Sequence, residues 1–227
     1  MPELRPRVAV LVFPGSNDDR DAVWALQALG AEPILVWHAE PALPALDAVV
    51  LPGGFSYGDY LRSGAIARFA PAMEAVAAHA GAGGLVLGIC NGFQILCEAG
   101  LLPGALRPNR SLSFVCRDVT VRVERDDTAF TSRCRTGDVL TIPVKHGEGC
   151  YHAPPDLPDD RVILRYADDN PNGSMDDIAG VVNEGGNVFG LMPHPEHAVD
   201  PLLGSADGAL LLASLLDAAR ERHFVRG

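Results

Sequence analysis

The sequence predicts an α/β fold: an open, mostly parallel sheet with helices on both faces and an antiparallel extension late in the chain. Three observations carry this. Up to Pro103, short apolar runs of strand length alternate with stretches of helical periodicity. The first of those runs, Arg7 to Phe13, is continuously apolar beyond Arg7, as in a strand covered on both faces. Beyond Pro103 the pattern changes, and Val119, Val121 and Val123 alternate with polar residues as in a strand with one wet face.

Taken in order, Arg7 to Phe13 is a Val-rich, buried strand. Pro14-Gly-Ser-Asn17 turns the chain. Asn17 or Asp18 caps a helix to about Leu29, with Val23, Leu26 and Leu29 inward and Gly30 as its stop. Pro33 to His38 and Asp47 to Leu51 are the next strands. The loop Phe55-Ser-Tyr-Gly-Asp-Tyr60 is too aromatic for a plain connector and predicts a pocket wall or partner surface. A helix over about Ala65 to Ala80 turns Ile66, Phe69, Met73, Val76 and Ala77 inward. Gly84 to Ile89 is the central strand, and Asn91 to Ala99 the helix after it. Ser111 to Glu124, Val139 to Lys145 and Arg161 to Tyr166 are antiparallel strands. Ile178 to Asn183 and Asn187 to Leu191 flank Glu184-Gly-Gly186 as a hairpin. A helix from about Ser205 to Arg222, carrying Leu210, Leu211, Leu215 and Leu216, closes the fold. No repeat or linker interrupts the series, so residues 1–227 read as one domain with a flavodoxin-like sheet.

Composition narrows the function. A net charge of −11 argues against a nucleic-acid or anionic-membrane surface. The cysteines match no zinc spacing and read as reduced thiols, which points to the cytoplasm. No run is long enough to span a membrane. The chain has a single lysine, Lys145, to which the sequence attaches no role.

The chemistry centres on Gly88-x-Cys90-x-Gly92. A short apolar run meets a helical stretch there, and the glycines permit a tight strand-to-helix turn. Such a turn lifts Cys90 out at the end of the sheet, as a thiol counterpart of the nucleophile elbow. The helix dipole favours a thiolate at its start, and the Asn91 N–H becomes one half of an oxyanion hole. Gly53-Gly54 follows the third strand, at the end where open α/β sheets keep their sites, and supplies the Gly54 N–H as the second donor.

A cysteine that attacks an amide needs a base, and a carboxylate to hold that base in the right tautomer. Two pairs offer this: His194-Pro-Glu196 and His146-Gly-Glu148. Pro195 forces His194 extended, which sets Glu196 on the same face. Gly147 makes the second pair looser, so His194 is the stronger candidate. His38, His79 and His223 read as structural, and His152 and His197 stay unassigned. The paired aspartates at 126–127, 159–160, 168–169 and 176–177 read as solvated turns, so no metal site is expected.

These residues resemble the class I (triad) glutamine amidotransferases. That family carries Pro-Gly-Gly after a strand, Gly-x-Cys-x-Gly-x-Gln at the elbow and a late His-Pro-Glu, here Pro52-Gly53-Gly54, Gly88 to Gln94 and His194-Pro195-Glu196. Within it the chain is most similar to the glutaminase subunits of phosphoribosylformylglycinamidine synthases. That narrower match rests on Phe13-Pro-Gly-Ser-Asn17, Leu51 to Arg62, Gly88 to Leu96, His146-Gly-Glu-Gly149, Asp169-Asn-Pro-Asn-Gly-Ser174 and Met192-Pro-His-Pro-Glu196, which together span nearly the whole chain. The resemblance implies the class I amidotransferase fold and a glutaminase in which Cys90, His194 and Glu196 are catalytic. It implies Gly54 and Asn91 as the oxyanion hole and Gly53, Phe55 and Gln94 as glutamine-binding residues. His146 and Glu148 fall to a secondary role at the site mouth or partner contact. It implies ammonia delivery to a large synthetase subunit that uses ATP and Mg, with a small bridging subunit, and no cofactor in this chain. Two departures stand out: a Cys is common where Asp18 stands, and an Arg is expected where His197 stands. Neither is expected to touch the triad. An amidotransferase of another pathway, or a flavodoxin-like protein in which Cys90 senses oxidants, are the alternatives.

Overall fold

The computed structural model describes residues 5–226, with side chains as far as Arg222. In its first half, β1 (Arg7–Val12), α1 (Asp19–Ala28), β2 (Glu32–Trp37), β3 (Ala48–Leu51), α2 (Pro71–Gly81), β4 (Leu85–Ile89) and α3 (Asn91–Glu98) follow the expected alternation. The second half holds β5 (Ala105–Arg107), β6 (Val115–Val123), β7 (Val139–His146), β8 (Cys150–His152), β9 (Val162–Tyr166), β10 (Ile178–Val182), β11 (Val188–Leu191) and α4 (Gly208–Arg226). Nine strands form one sheet in the order β2-β1-β3-β4-β11-β10-β9-β6-β7. From β2 to β11 the neighbours run parallel, in the flavodoxin-like order. The hairpin at Glu184-Gly-Gly186 reverses the chain, and β10, β9, β6 and β7 continue antiparallel. The short pair β5–β8, which the sequence pattern does not reveal, lies outside this sheet.

The apolar strands explain the architecture. β3 and β4 are buried at every residue, as strands covered on both faces must be. The connections β1–α1–β2 and β3–α2–β4 step in opposite directions along the sheet. Right-handed crossovers therefore set α1 and α2 on opposite faces. β11 comes late in the chain yet pairs parallel with β4, Leu191 opposite Ile89, so the segments leaving these two strands emerge side by side.

Two local expectations fail. The helix expected over Ala65 to Ala80 is broken: a 3-10 turn (Ala67–Phe69) precedes α2, which starts at Pro71. Proline pushes the residue before it out of the helical region, and Ala70 is extended at φ −64, ψ 140. Phe69 is consequently 73% exposed, with the Arg68 guanidinium 4.4 Å over its ring, not inward-facing, and Ala77 on α2 is likewise exposed. Asp18 stands at the N-cap of α1 but makes no side-chain cap hydrogen bond; its carboxylate is drawn elsewhere.

Candidate active site

β4 delivers Cys90 at its carboxyl end. The residue sits at φ 49, ψ −102, a strained conformation for a side-chain-bearing residue. The flanking glycines are obligatory. A Cβ on Gly92 would lie 2.0 Å from the Leu51 carbonyl oxygen, and one on Gly88 would lie 2.7 Å from the Gly92 carbonyl carbon. Cys90 is the N-cap of α3, so the Asn91 N–H begins the helix with no intrahelical acceptor. The thiol is buried and donates to the Lys145 carbonyl at 3.7 Å. Among the other cysteines, burial pushes Cys134 up to about 11 and Cys97 higher still, so neither is poised as a thiolate.

β11 delivers His194 beside it. The His194 N–H donates to the Pro143 carbonyl at 2.8 Å, and Pro195 opens a 3-10 turn (Pro195–His197). That turn, not the extended segment expected from the sequence, swings Glu196 back so that its Oε1 lies 2.6 Å from His194 Nδ1. Both side chains are within 1% of full burial. Nδ1–H donates to the carboxylate, which leaves Nε2 for the thiol; Nε2 has no well-formed hydrogen-bond partner. Burial opposes a charged imidazole here. The negative charge of Glu196 and of a Cys90 thiolate outweighs it and lifts His194 up to about 10.

The two residues that depart from the family pattern meet at this histidine. Asp18 Oδ1 lies 3.3 Å from His197 Nε2 and 2.5 Å from Lys145 Nζ, and its Oδ2 is 3.6 Å from His194 Nδ1. His197 Nε2 is also 3.6 Å from Glu196 Oε1. The expectation that neither departure touches the triad is therefore overturned: the loop after β1 and the turn after β11 converge on His194. Burial raises the Asp18 pKa, but His197, His194 and Lys145 together hold the carboxyl well below the usual range. Asp18, His194, Glu196 and His197 bring ligand-type atoms within 4.8 Å of one another. The Lys145 ammonium already stands at that cluster as its cation. In the sequence Asp18 and His197 stand out only as departures from the family pattern and Lys145 only as the chain's single lysine, and nothing there joins the three.

A cleft of ≈ 280 Å³ opens over Cys90, lined by Gly54, Phe55, Gln94, Lys145, His146 and Glu148 among others. Gly54, at φ 143, is pinned against the loop after β1 by Phe55 N–H to Gly15 O at 2.9 Å. Gly53 is not among the residues that line the cleft, and a Cβ there would sit 2.4 Å from Asp18 Oδ2 and 2.6 Å from His194 Cε1. Gln94 accepts from Asn91 Nδ2 at 2.8 Å and donates to the Glu148 carbonyl at 2.7 Å, while Asn91 Oδ1 accepts from the Ser56 N–H at 3.2 Å. Elbow, glycine loop and β7 end are thus tied together. Asp59, Leu112 and Phe114 also line the cleft, and no sequence motif marks Leu112 or Phe114. His38 accepts from Tyr57 OH at 2.6 Å, in keeping with a structural role; the His223 side chain lies outside the described residues. The paired aspartates lie in turns, Asp127 and Asp160 beside Arg125 and Arg161 and Asp169 beside Arg117.

Residues 5–206 match the family model of the CobB/CobQ-like glutamine amidotransferase domain. Phosphoribosylformylglycinamidine synthase subunit PurQ of Rubrobacter xylanophilus is 61% identical, over 94% of this chain and 99% of that protein. The PurQ protein of Frankia casuarinae is 55% identical over 92% and 93%. Among solved structures, a chain of PurLQS from Thermotoga maritima superposes with a TM-score of 0.90 at 49% identity, covering 94% of this chain and 99% of that one. Another glutamine amidotransferase from Thermotoga maritima, at TM-score 0.61 and 18% identity over 97% of this chain and 98% of that one, shares the fold. The chain belongs to the CobB/CobQ-like glutamine amidotransferases and, among them, to the family of PurQ subunits of phosphoribosylformylglycinamidine synthase.

Proposed function

We propose that this chain hydrolyses glutamine to glutamate and ammonia and hands the ammonia to a synthetase subunit. That subunit converts formylglycinamide ribonucleotide to formylglycinamidine ribonucleotide in purine biosynthesis. The observation that carries the reading is that Cys90, on its strained elbow and lining the cleft, stands beside the buried His194–Glu196 pair. Cys90 gives its proton to His194 Nε2 and adds through sulfur to the side-chain carbonyl carbon of glutamine. The Gly54 and Asn91 N–H groups receive the oxyanion. The imidazolium returns the proton to the amide nitrogen, the C–N bond breaks and ammonia leaves a glutamyl thioester. Water, deprotonated by His194, then adds to the thioester; the C–S bond breaks, glutamate leaves and the thiol is restored. Glu196 orients the imidazole throughout. Gly53, Phe55 and Gln94 shape the glutamine site, Gln94 by bracing its wall.

The large synthetase subunit and a small bridging subunit are the partners in this reading. ATP and Mg belong to the synthetase, and this chain uses no cofactor of its own. Among the described residues no helix is long and apolar enough to cross a membrane. With all five cysteines free, the cytoplasm is the compartment this reading assigns.

The test is Cys90→Ala in the assembled complex. Glutamine-dependent synthesis falls at least ~10³-fold, as for removal of a covalent nucleophile, while synthesis driven by added ammonia persists. Equal loss of both activities refutes the assignment. In the unaltered protein a glutamine-mimicking electrophile labels Cys90, read by peptide mass spectrometry.

A further inference from the structure

We propose that Asp18, held by Lys145, is a second carboxylate for His194: a positioning residue that, alongside Glu196, sustains the imidazolium that donates a proton to the leaving amine. The inference rests on the glutaminase reading and deepens it.

Asp18 occupies the N-cap of α1 but does not cap it, although the helix offers unpaired N–H groups there. The side chain turns into the protein instead, where it is 5% exposed. Its Oδ2 and the His194 ring meet above Gly53, where any side chain would collide with both. Nδ1–H is already committed to Glu196 at 2.6 Å, so Asp18 at 3.6 Å acts on the ring through its charge and not through a hydrogen bond. A protonated Asp18 would have no such effect, and the surroundings prevent it: Lys145 Nζ and His197 Nε2 both address Oδ1. The Lys145 carbonyl meanwhile accepts from Cys90 Sγ, so this one residue touches both ends of the proton path.

The ionisable groups facing His194 are Glu196 and His197 on its own segment, Cys90 at the elbow, Asp18 from the loop after β1, and Lys145 and His146 from β7. Removing the Asp18 charge alone leaves the Lys145 cation opposite the imidazolium. Removing both charges relieves that opposition. The sign of the second step separates an electrostatic role from a structural one.

The experiment compares Asp18→Asn, Asp18→Glu and the double variant Asp18→Asn/Lys145→Met. Each is assayed in the full complex, with 15N NMR of the His194 ring in the full chain. Asp18→Asn lowers glutamine-dependent kcat about tenfold and moves the alkaline limb of the rate profile down by about one pH unit. KM and ammonia-driven synthesis stay within about twofold. His194 loses its second proton at correspondingly lower pH. Asp18→Glu restores most of the limb, and the double variant moves it part of the way back. An unchanged limb and unchanged His194 titration in Asp18→Asn overturn the proposal, as does a double variant worse than the single one. If the unaltered complex hydrolyses no glutamine, the glutaminase reading fails instead, and the ring titration still reports whether Asp18 acts on His194.

Discussion

The molecule carries the same three-residue pattern twice, and the two copies do opposite things. His194-Pro-Glu196 follows β11 and is buried beside Cys90, and His146-Gly-Glu148 ends β7 and lines the cleft over Cys90. In the first, the turn begun at Pro195 brings the carboxylate onto the ring at 2.6 Å. In the second, Glu148 turns away and accepts from Ser63 Oγ at 2.9 Å. The His146 ring lies between two amides, Nδ1 donating to Asn109 Oδ1 at 3.1 Å and Nε2 accepting from Asn172 Nδ2 at 3.4 Å. Both rings are buried, and burial disfavours the charged form of each. His146, with neutral partners and repelled by His194, is pushed down to about 4; His194, facing Glu196 and Cys90, is pulled up to about 10. Spacing in sequence sets neither outcome. The charge of whatever the ring touches decides.

Removing that charge is the harshest test of the contrast. Glu196→Gln keeps the shape but withdraws the anion and permits the wrong tautomer. Glutamine-dependent kcat is expected to fall by roughly 10²–10⁴ with little change in KM, and ammonia-driven synthesis serves as the internal control. A loss under about tenfold would mean that Glu196 is not what sustains His194.

Much of this is legible in the sequence, and what is not has a common cause. Val-rich β1, β3 and β4 announce the parallel sheet, because a strand covered on both faces has no reason to alternate. Gly88 and Gly92 announce the elbow, because the backbone leaves no room for a Cβ at either position. Asp18 defeats the local rule: an acid ahead of a helix should cap it, and a tertiary contact overrides the cap. That contact requires β11 to insert beside β4, and β7 to return from the far end of the sheet until Pro143 bonds His194. Lys145 is conspicuous only as a singleton, and no periodicity or spacing attaches a role to a singleton. Phe69 fits a helical periodicity, while the proline two residues on breaks the helix.

The second test concerns stability. Asn109 binds His146 Nδ1 and the Gly149 N–H through its oxygen, and the Ser113 and His146 carbonyls through its nitrogen. Asn109→Ala leaves several buried groups unpaired, and a loss of about 2–4 kcal/mol in denaturant unfolding is expected. The two histidines also give pH dependences of opposite sign. The folded pKa of His146, about 4, lies below the unfolded 6.5. Its contribution is therefore complete above pH 6.5 and is lost as the pH falls from there towards 4, by at most about 3 kcal/mol. His194, with its folded pKa raised, contributes below pH 6.5 and loses that contribution as the pH climbs towards about 10. His146→Gln should flatten the acid side of the stability profile and leave the alkaline side alone. A flattened alkaline side would show the assignments to be exchanged.

The smallest expected effect is the most discriminating. If Glu148 does nothing for its neighbouring histidine, Glu148→Gln leaves the His146 titration where it was, whereas Glu196→Gln shifts that of His194 strongly. The backbone carbonyl that holds Gln94 survives the change, and a glutamine oxygen still accepts from Ser63, so stability should move by less than about 1 kcal/mol. The one group that should respond is Asp59. Burial first, and Glu148 second, raise its carboxyl to about 6. Neutralising Glu148 removes only the second cause, so Asp59 should fall part of the way towards its ordinary 3.8. Carboxyl-carbon NMR of Asp59 and ring NMR of His146 in one titration read both at once. Movement of His146 by more than about half a unit, equivalent to about 0.7 kcal/mol, would show Glu148 coupled to its ring after all, and the two copies of the pattern would then differ in degree instead of in kind.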